Sequence, residues 1–87
     1  LKEVAQLKNM RALNLNGVRL FKAGLTELAP MKNLEMLHLF NSAIDDASLK
    51  PLAGLTNLQL LNTLSTFVNG AAIEKLRESL PNCHFEY

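Results

Sequence analysis

Met10-Arg-Ala-Leu13-Asn-Leu15, Leu34-Glu-Met-Leu37-His-Leu39 and Leu58-Gln-Leu-Leu61-Asn-Thr63 are one pattern written three times, each copy 24 residues after the last. Further along each copy the coincidences continue. Leu20, Ile44 and Val68 share a position, as do Leu25, Leu49 and Ile73, and then Val4, Leu28, Leu52 and Leu76. Ala23, Ala47 and Ala71 fall together, and so do Asn9, Asn33 and Asn57. Self-similarity at a fixed period of this length is the mark of a stacked-repeat architecture, in which no unit buries its apolar face alone.

Within each unit the spacing changes once. Around Leu13-Leu15 and Leu37-Leu39 apolar residues alternate with others, as in a half-buried strand. From residues 45 and 69 onward the period turns helical: Ala47, Leu49 and Leu52, then Ala72, Ile73, Leu76 and Leu80. Asp45 and Asn69 stand where a helix N-cap is needed, because their oxygens can accept from unpaired amides of the first turn. Phe21 holds that place in the first repeat and cannot cap. Pro30 and Pro51 punctuate the short helices, and Gly70 to Ser79, without a proline, is expected to be the longest. Each unit therefore reads as strand, turn, short helix and loop, stacking into a parallel sheet with helices outside.

The recurring L-x-x-L-x-L resembles the leucine-rich-repeat family over essentially the whole chain. Ile44-Asp-Asp-Ala-Ser-Leu49 is similar to the I-T-D-A-G-L element of the cysteine-containing and related bacterial 24-residue types. Leu76-Arg-Glu-Ser-Leu80-Pro-Asn-Cys83-His-Phe85 is similar to the closing unit of the bacterial type. There are two departures: the ninth position, usually Asn or Cys, holds Val18, Ser42 and Thr66, and Thr63 stands where Leu15 and Leu39 do. The resemblance implies an α/β, right-handed solenoid with a concave parallel β-sheet and short helices on the convex side. It would form a single domain over 1–87: the end of a preceding repeat (1–9), repeats at 10–33, 34–57 and 58–79, and a C-terminal capping strand (80–87). Because Leu1-Lys-Glu-Val4-Ala-Gln-Leu7 aligns with Leu25-Thr-Glu-Leu28-Ala-Pro-Met31, the chain is expected to be the C-terminal segment of a longer array. Its first strand would then present an uncovered edge, with Val4, Leu7, Leu20 and Leu25 beside it, and self-association is expected there.

Composition narrows the function. The chain has 87 residues, 48% of them apolar, with nine Lys+Arg against eight Asp+Glu. The net charge of +1 gives no electrostatic reason to expect nucleic acid or an anionic membrane as partner. The uncharged stretch from Pro51 to Ile73 is too rich in Asn, Thr, Ser and Gly to lie in lipid. One cysteine and two histidines are a thin ligand supply for zinc. Asp45-Asp46 has no other acid near it in the sequence, and one of the two is better used as a cap. Placing Leu80-Pro-Asn-Cys83-His-Phe85 in the L-x-x-L-x-L register puts His38 and His84 in one row two strands apart, roughly 10 Å at ~4.8 Å per strand. It also puts Cys83 in a Leu slot as a core filler, facing away from His84 and unable to act with it as nucleophile and base. No catalytic residue, metal or cofactor is expected.

The positions that the repeat leaves variable carry the functional signal. With the leucines pointing inward, alternate strand residues point onto the concave face: Ala12, Asn14 and Asn16; Met36, His38 and Phe40; Leu60, Asn62 and Leu64; then His84 and Glu86. Met36 and Leu60 share one row, Phe40 and Leu64 another. The four would form an apolar patch flanked by Asn14, His38 and Asn62, and such surface tends to mark an interaction site. Alternatively, a register shift after Leu58, made plausible by Thr63, turns Leu60 or Leu64 inward. The expected function is a protein-binding module that takes a protein or peptide on this face. Two other readings are a structural, self-assembling segment and a substrate-positioning domain appended to an enzyme. Fold alone does not choose among them.

Overall fold

The computed structural model describes residues 9–17, 19 and 25–87. Val4, Leu7, Val18, Leu20, Phe21 and Ala23, which entered the sequence argument, lie outside them. Among the described residues, four three-residue strands form one parallel sheet in chain order: β1 (Ala12–Asn14), β2 (Met36–His38), β3 (Leu60–Asn62) and β4 (His84–Glu86). The register keeps the 24-residue period throughout. Leu13 pairs with Leu37, Leu37 with Leu61 and Leu61 with Phe85. The ladder runs past the strands, since the amides of Leu15, Leu39 and Thr63 donate to the carbonyls of His38, Asn62 and Glu86, each at 2.8 Å. Thr63 therefore keeps the place of Leu15 and Leu39, and the register shift is excluded. Its hydroxyl is buried without a hydrogen-bond partner.

Among the described residues, two complete helices follow their strands on the other side of the core. The nine-residue element η1 (Asp46–Gly54) is a 3₁₀ helix, and α1 (Gly70–Ser79) is a ten-residue α-helix. Both begin on the expected caps. Asp45 accepts from the Ser48 amide while Ser48 Oγ accepts from the Asp45 amide, a reciprocal box. Asn69 accepts from the Ala72 amide at 3.0 Å. Pro51 does not end its helix, as the sequence pattern suggests, but lies inside it. Without an N–H it removes one bond of the run, so the element amounts to two short 3₁₀ turns joined at the proline.

Leu25, Leu28, Leu37, Leu39, Leu49, Leu52, Leu61, Ile73 and Leu76 meet in one continuous buried cluster. Each fully buried Leu contributes roughly 1.5–3 kcal/mol relative to exposure. Polar side chains tie neighbouring units together. Ser42 Oγ donates to the Leu15 carbonyl at 2.9 Å, and Asn57 Nδ2 to the Lys32 carbonyl at 2.9 Å. At the far end the Tyr87 hydroxyl donates to Glu74 at 2.7 Å, Arg77 binds the same carboxylate, and the Arg77 guanidinium lies 4.9 Å from the centre of the Phe85 ring. This clasp holds β4 against α1.

The last strand corrects one expectation. Leu80 belongs to the helix end, where its amide donates to the Leu76 carbonyl, so the L-x-x-L-x-L register does not start there. Phe85 takes the row of Leu37 and Leu61, and His84 the row of Met36 and Leu60. His38 and His84 accordingly stand in different rows. Cys83 precedes the strand, level with Gln59 rather than in a Leu slot, although it is buried.

Candidate functional site

Because side chains alternate across a strand, the sheet face opposite the core displays two rows. One contains Ala12, Met36, Leu60 and His84; the other contains Asn14, His38, Asn62 and Glu86. A third row begins past the strands. The Gly17 amide donates to the Phe40 carbonyl, and the Asn41 amide to the Leu64 carbonyl, so Phe40 and Leu64 lie on neighbouring units at the same height.

The chain turns sharply just after this third row. Gly17, Asn41 and Ser65 have φ of +74°, +58° and +59°, the left-handed region, at one repeat position. Side-chain oxygens stabilise the approach to that turn. Asn14 Oδ1 accepts from the Asn16 amide at 2.9 Å and Asn62 Oδ1 from the Leu64 amide at 3.0 Å, both Asx-type closures. Asn16 Oδ1 accepts from the Phe40 amide at 2.7 Å across the repeat boundary. The sequence pattern places Asn14 and Asn62 at the patch only as flanking contacts. Their oxygens also hold the backbone that presents Phe40 and Leu64.

Met36 is 43% exposed, Phe40 42% and Leu64 38%, which makes them three of the five exposed large apolar side chains among the described residues. Leu60, between Met36 and His84 in its row, is half-buried, and so is His38. Sequence reasoning missed Phe67, the most exposed of all at 78%. It occupies the repeat position of Arg19 and Ala43, beyond the strand, and its amide donates to the Ile44 carbonyl of the preceding unit. A large aromatic at a repeat-variable position was the available signal.

Charge at the start of the strands is paired across units: Arg11 Nη2 lies 2.8 Å from Glu35 Oε2. Burial pushes the Cys83 thiol up to about 11, so it stays protonated and poorly nucleophilic at neutral pH. Among the described residues no three His, Cys, Asp or Glu side chains are grouped to hold a metal ion, and no helix is long and apolar enough to cross a membrane.

No protein-family model and no curated protein matches the chain. Among solved structures, a leucine-rich-repeat protein of Leptospira interrogans superposes on all of it with a TM-score of 0.65 at 24% identity. The fold is that of a leucine-rich-repeat solenoid. The chain spans 28% of the length of that neighbour.

Proposed function

We propose that this solenoid is a protein-binding module that takes a protein or peptide partner on its sheet face, with repeats of the bacterial 24-residue type. The contact would centre on Met36, Phe40, Leu60 and Leu64, with Asn14, His38 and Asn62 around them. The observation that carries the reading is Phe40 and Leu64 side by side on neighbouring units, with Met36 on the same face beyond the His38 and Asn62 row, each about two-fifths exposed. Met and aromatic side chains are enriched at interface cores, and a few such anchors carry most of the binding energy. A non-catalytic role is supported by the protonated Cys83 thiol and by the separate rows of the two histidines.

The test pairs two variants against a captured and purified partner. Phe40→Ala should weaken binding by roughly 2 kcal/mol or more, about thirtyfold, with a melting curve close to wild type. Leu37→Ala, in the fully buried row, should instead destabilise the fold by roughly 2–5 kcal/mol. Unchanged affinity of folded Phe40→Ala would remove the sheet face as the contact.

A further inference from the structure

On the helical side of the molecule, η1 and α1 leave a groove of about 460 Å³ between them. Its floor is made by Leu49 and Leu76, core leucines that the neighbouring side chains leave within reach, and its walls include the methyl groups of Ala53 and Ala72. Lys50 projects from η1 and Lys75 from α1, both lining the groove and both exposed. Neither takes part in an ion pair or hydrogen bond among the described residues. The one acid at the groove, Asp46, is engaged elsewhere: its Oδ1 accepts from the Asn69 amide at 2.9 Å and its Oδ2 from Asn69 Nδ2 at 2.6 Å. The groove thus combines an apolar bed with two unpartnered cations, one on each wall, and its volume lies in the ~300–1,000 Å³ range of ligand sites.

We infer that this groove binds an anionic amphiphile, a linear alkyl carboxylate. The head group would sit between Lys50 and Lys75, and the alkyl body would lie along Leu49, Ala53, Ala72 and Leu76. The apolar bed removes the chain from water. The paired ammoniums select the sign of the head group, since a cationic head of the same length meets like charge on both walls. The site is independent of the sheet face, which lies on the other side of the core.

The experiment is an NMR titration of the 87-residue chain with decanoate, followed on the methyl groups of Leu49, Ala53, Ala72 and Leu76, with decylamine as the matched cation. Saturable shifts confined to those methyls, with decylamine at least tenfold weaker, are the expected result. The doubly reversed variant Lys50→Glu/Lys75→Glu, changed only at exposed positions, should invert that preference. Equal affinity of the two head groups on the wild-type chain would overturn the inference without any variant. So would shifts at Met36, Phe40 or Leu64 instead of the groove, or shifts that do not saturate. If a peptide with Glu beside Leu occupies the groove while decanoate does not, the ligand is a protein segment and the assignment fails.

Discussion

Thr63→Val removes a hydroxyl and leaves a side chain of the same shape. Thr63 is buried in the row of Leu15 and Leu39, and its Oγ1 is the one described buried side-chain N or O atom without a hydrogen-bond partner. A buried unpartnered hydroxyl costs on the order of 1–3 kcal/mol in proteins. Val returns most of that and adds a methyl contact, so the variant should gain about 1–2 kcal/mol. In a chain of this size each kcal/mol moves Tm by roughly 4–8 °C. Ser42→Ala supplies the opposite case, because that buried hydroxyl donates to the Leu15 carbonyl at 2.9 Å. Removing it deletes a made bond and should cost about 1 kcal/mol. Thermal and urea melts followed by far-UV circular dichroism measure both. A neutral or destabilised Thr63→Val would mean that the hydroxyl has a partner, and the reasoning would be refuted whatever Ser42→Ala does.

Ser65→Gly should stabilise the fold by about 0.5–1 kcal/mol, since Ser65 holds φ of +59° where Gly carries no Cβ penalty; an unchanged urea midpoint would contradict it. The Tyr87 hydrogen bond, followed by Arg77, holds the Glu74 carboxyl below its ordinary range. A depressed carboxylate adds stability above its unfolded value and loses it as pH falls through the folded one, so the clasp should open only in acid below the usual carboxylate range. Tyr87→Phe should move the Glu74 titration upward by NMR, and an unmoved curve would dismiss the clasp. Cys83, buried and with its thiol raised to about 11, should resist alkylation at pH 8 in the folded chain and react at once in denaturant; rapid native labelling would contradict this.

The inward rows were legible because leucine repeats at fixed spacing, and a parallel ladder preserves that spacing residue for residue. Leu37 and Leu61 could be paired from the sequence, and the caps Asp45 and Asn69 read directly from side-chain chemistry. Other features were hidden by residues that serve two patterns. Leu80, Cys83 and Phe85 imitate the strand consensus, yet α1 continues to Ser79 and takes Leu80 as its cap, which moves the last strand by two residues. Pro51 looks like a stop in an α-helix and is accommodated in a 3₁₀ one. At the sheet face the row positions of Met36, Phe40 and Leu64 were readable, but not the half-burial of Leu60, which depends on its neighbours in the row. The left-handed turn was invisible because Gly17, Asn41 and Ser65 share a conformation and no side-chain type.

That turn and the rows behind it restrict how the chain can change in length. Leu13, Leu37, Leu61 and Phe85 are stacked by a constant offset, and the bends at Gly17, Asn41 and Ser65 obey the same offset. One residue inserted between Leu13 and Gly17, or between their counterparts, would turn an inward leucine outward and displace the bend from the residue that tolerates it. The outer arc is more permissive, since a 3₁₀ helix in one unit and an α-helix in the next satisfy the same strand offset. Duplication or loss of a complete unit preserves every row. Genetic variation in this scaffold is therefore quantised: whole repeats can be gained or dropped, whereas a single-codon insertion within the strand-and-bend segment is disruptive.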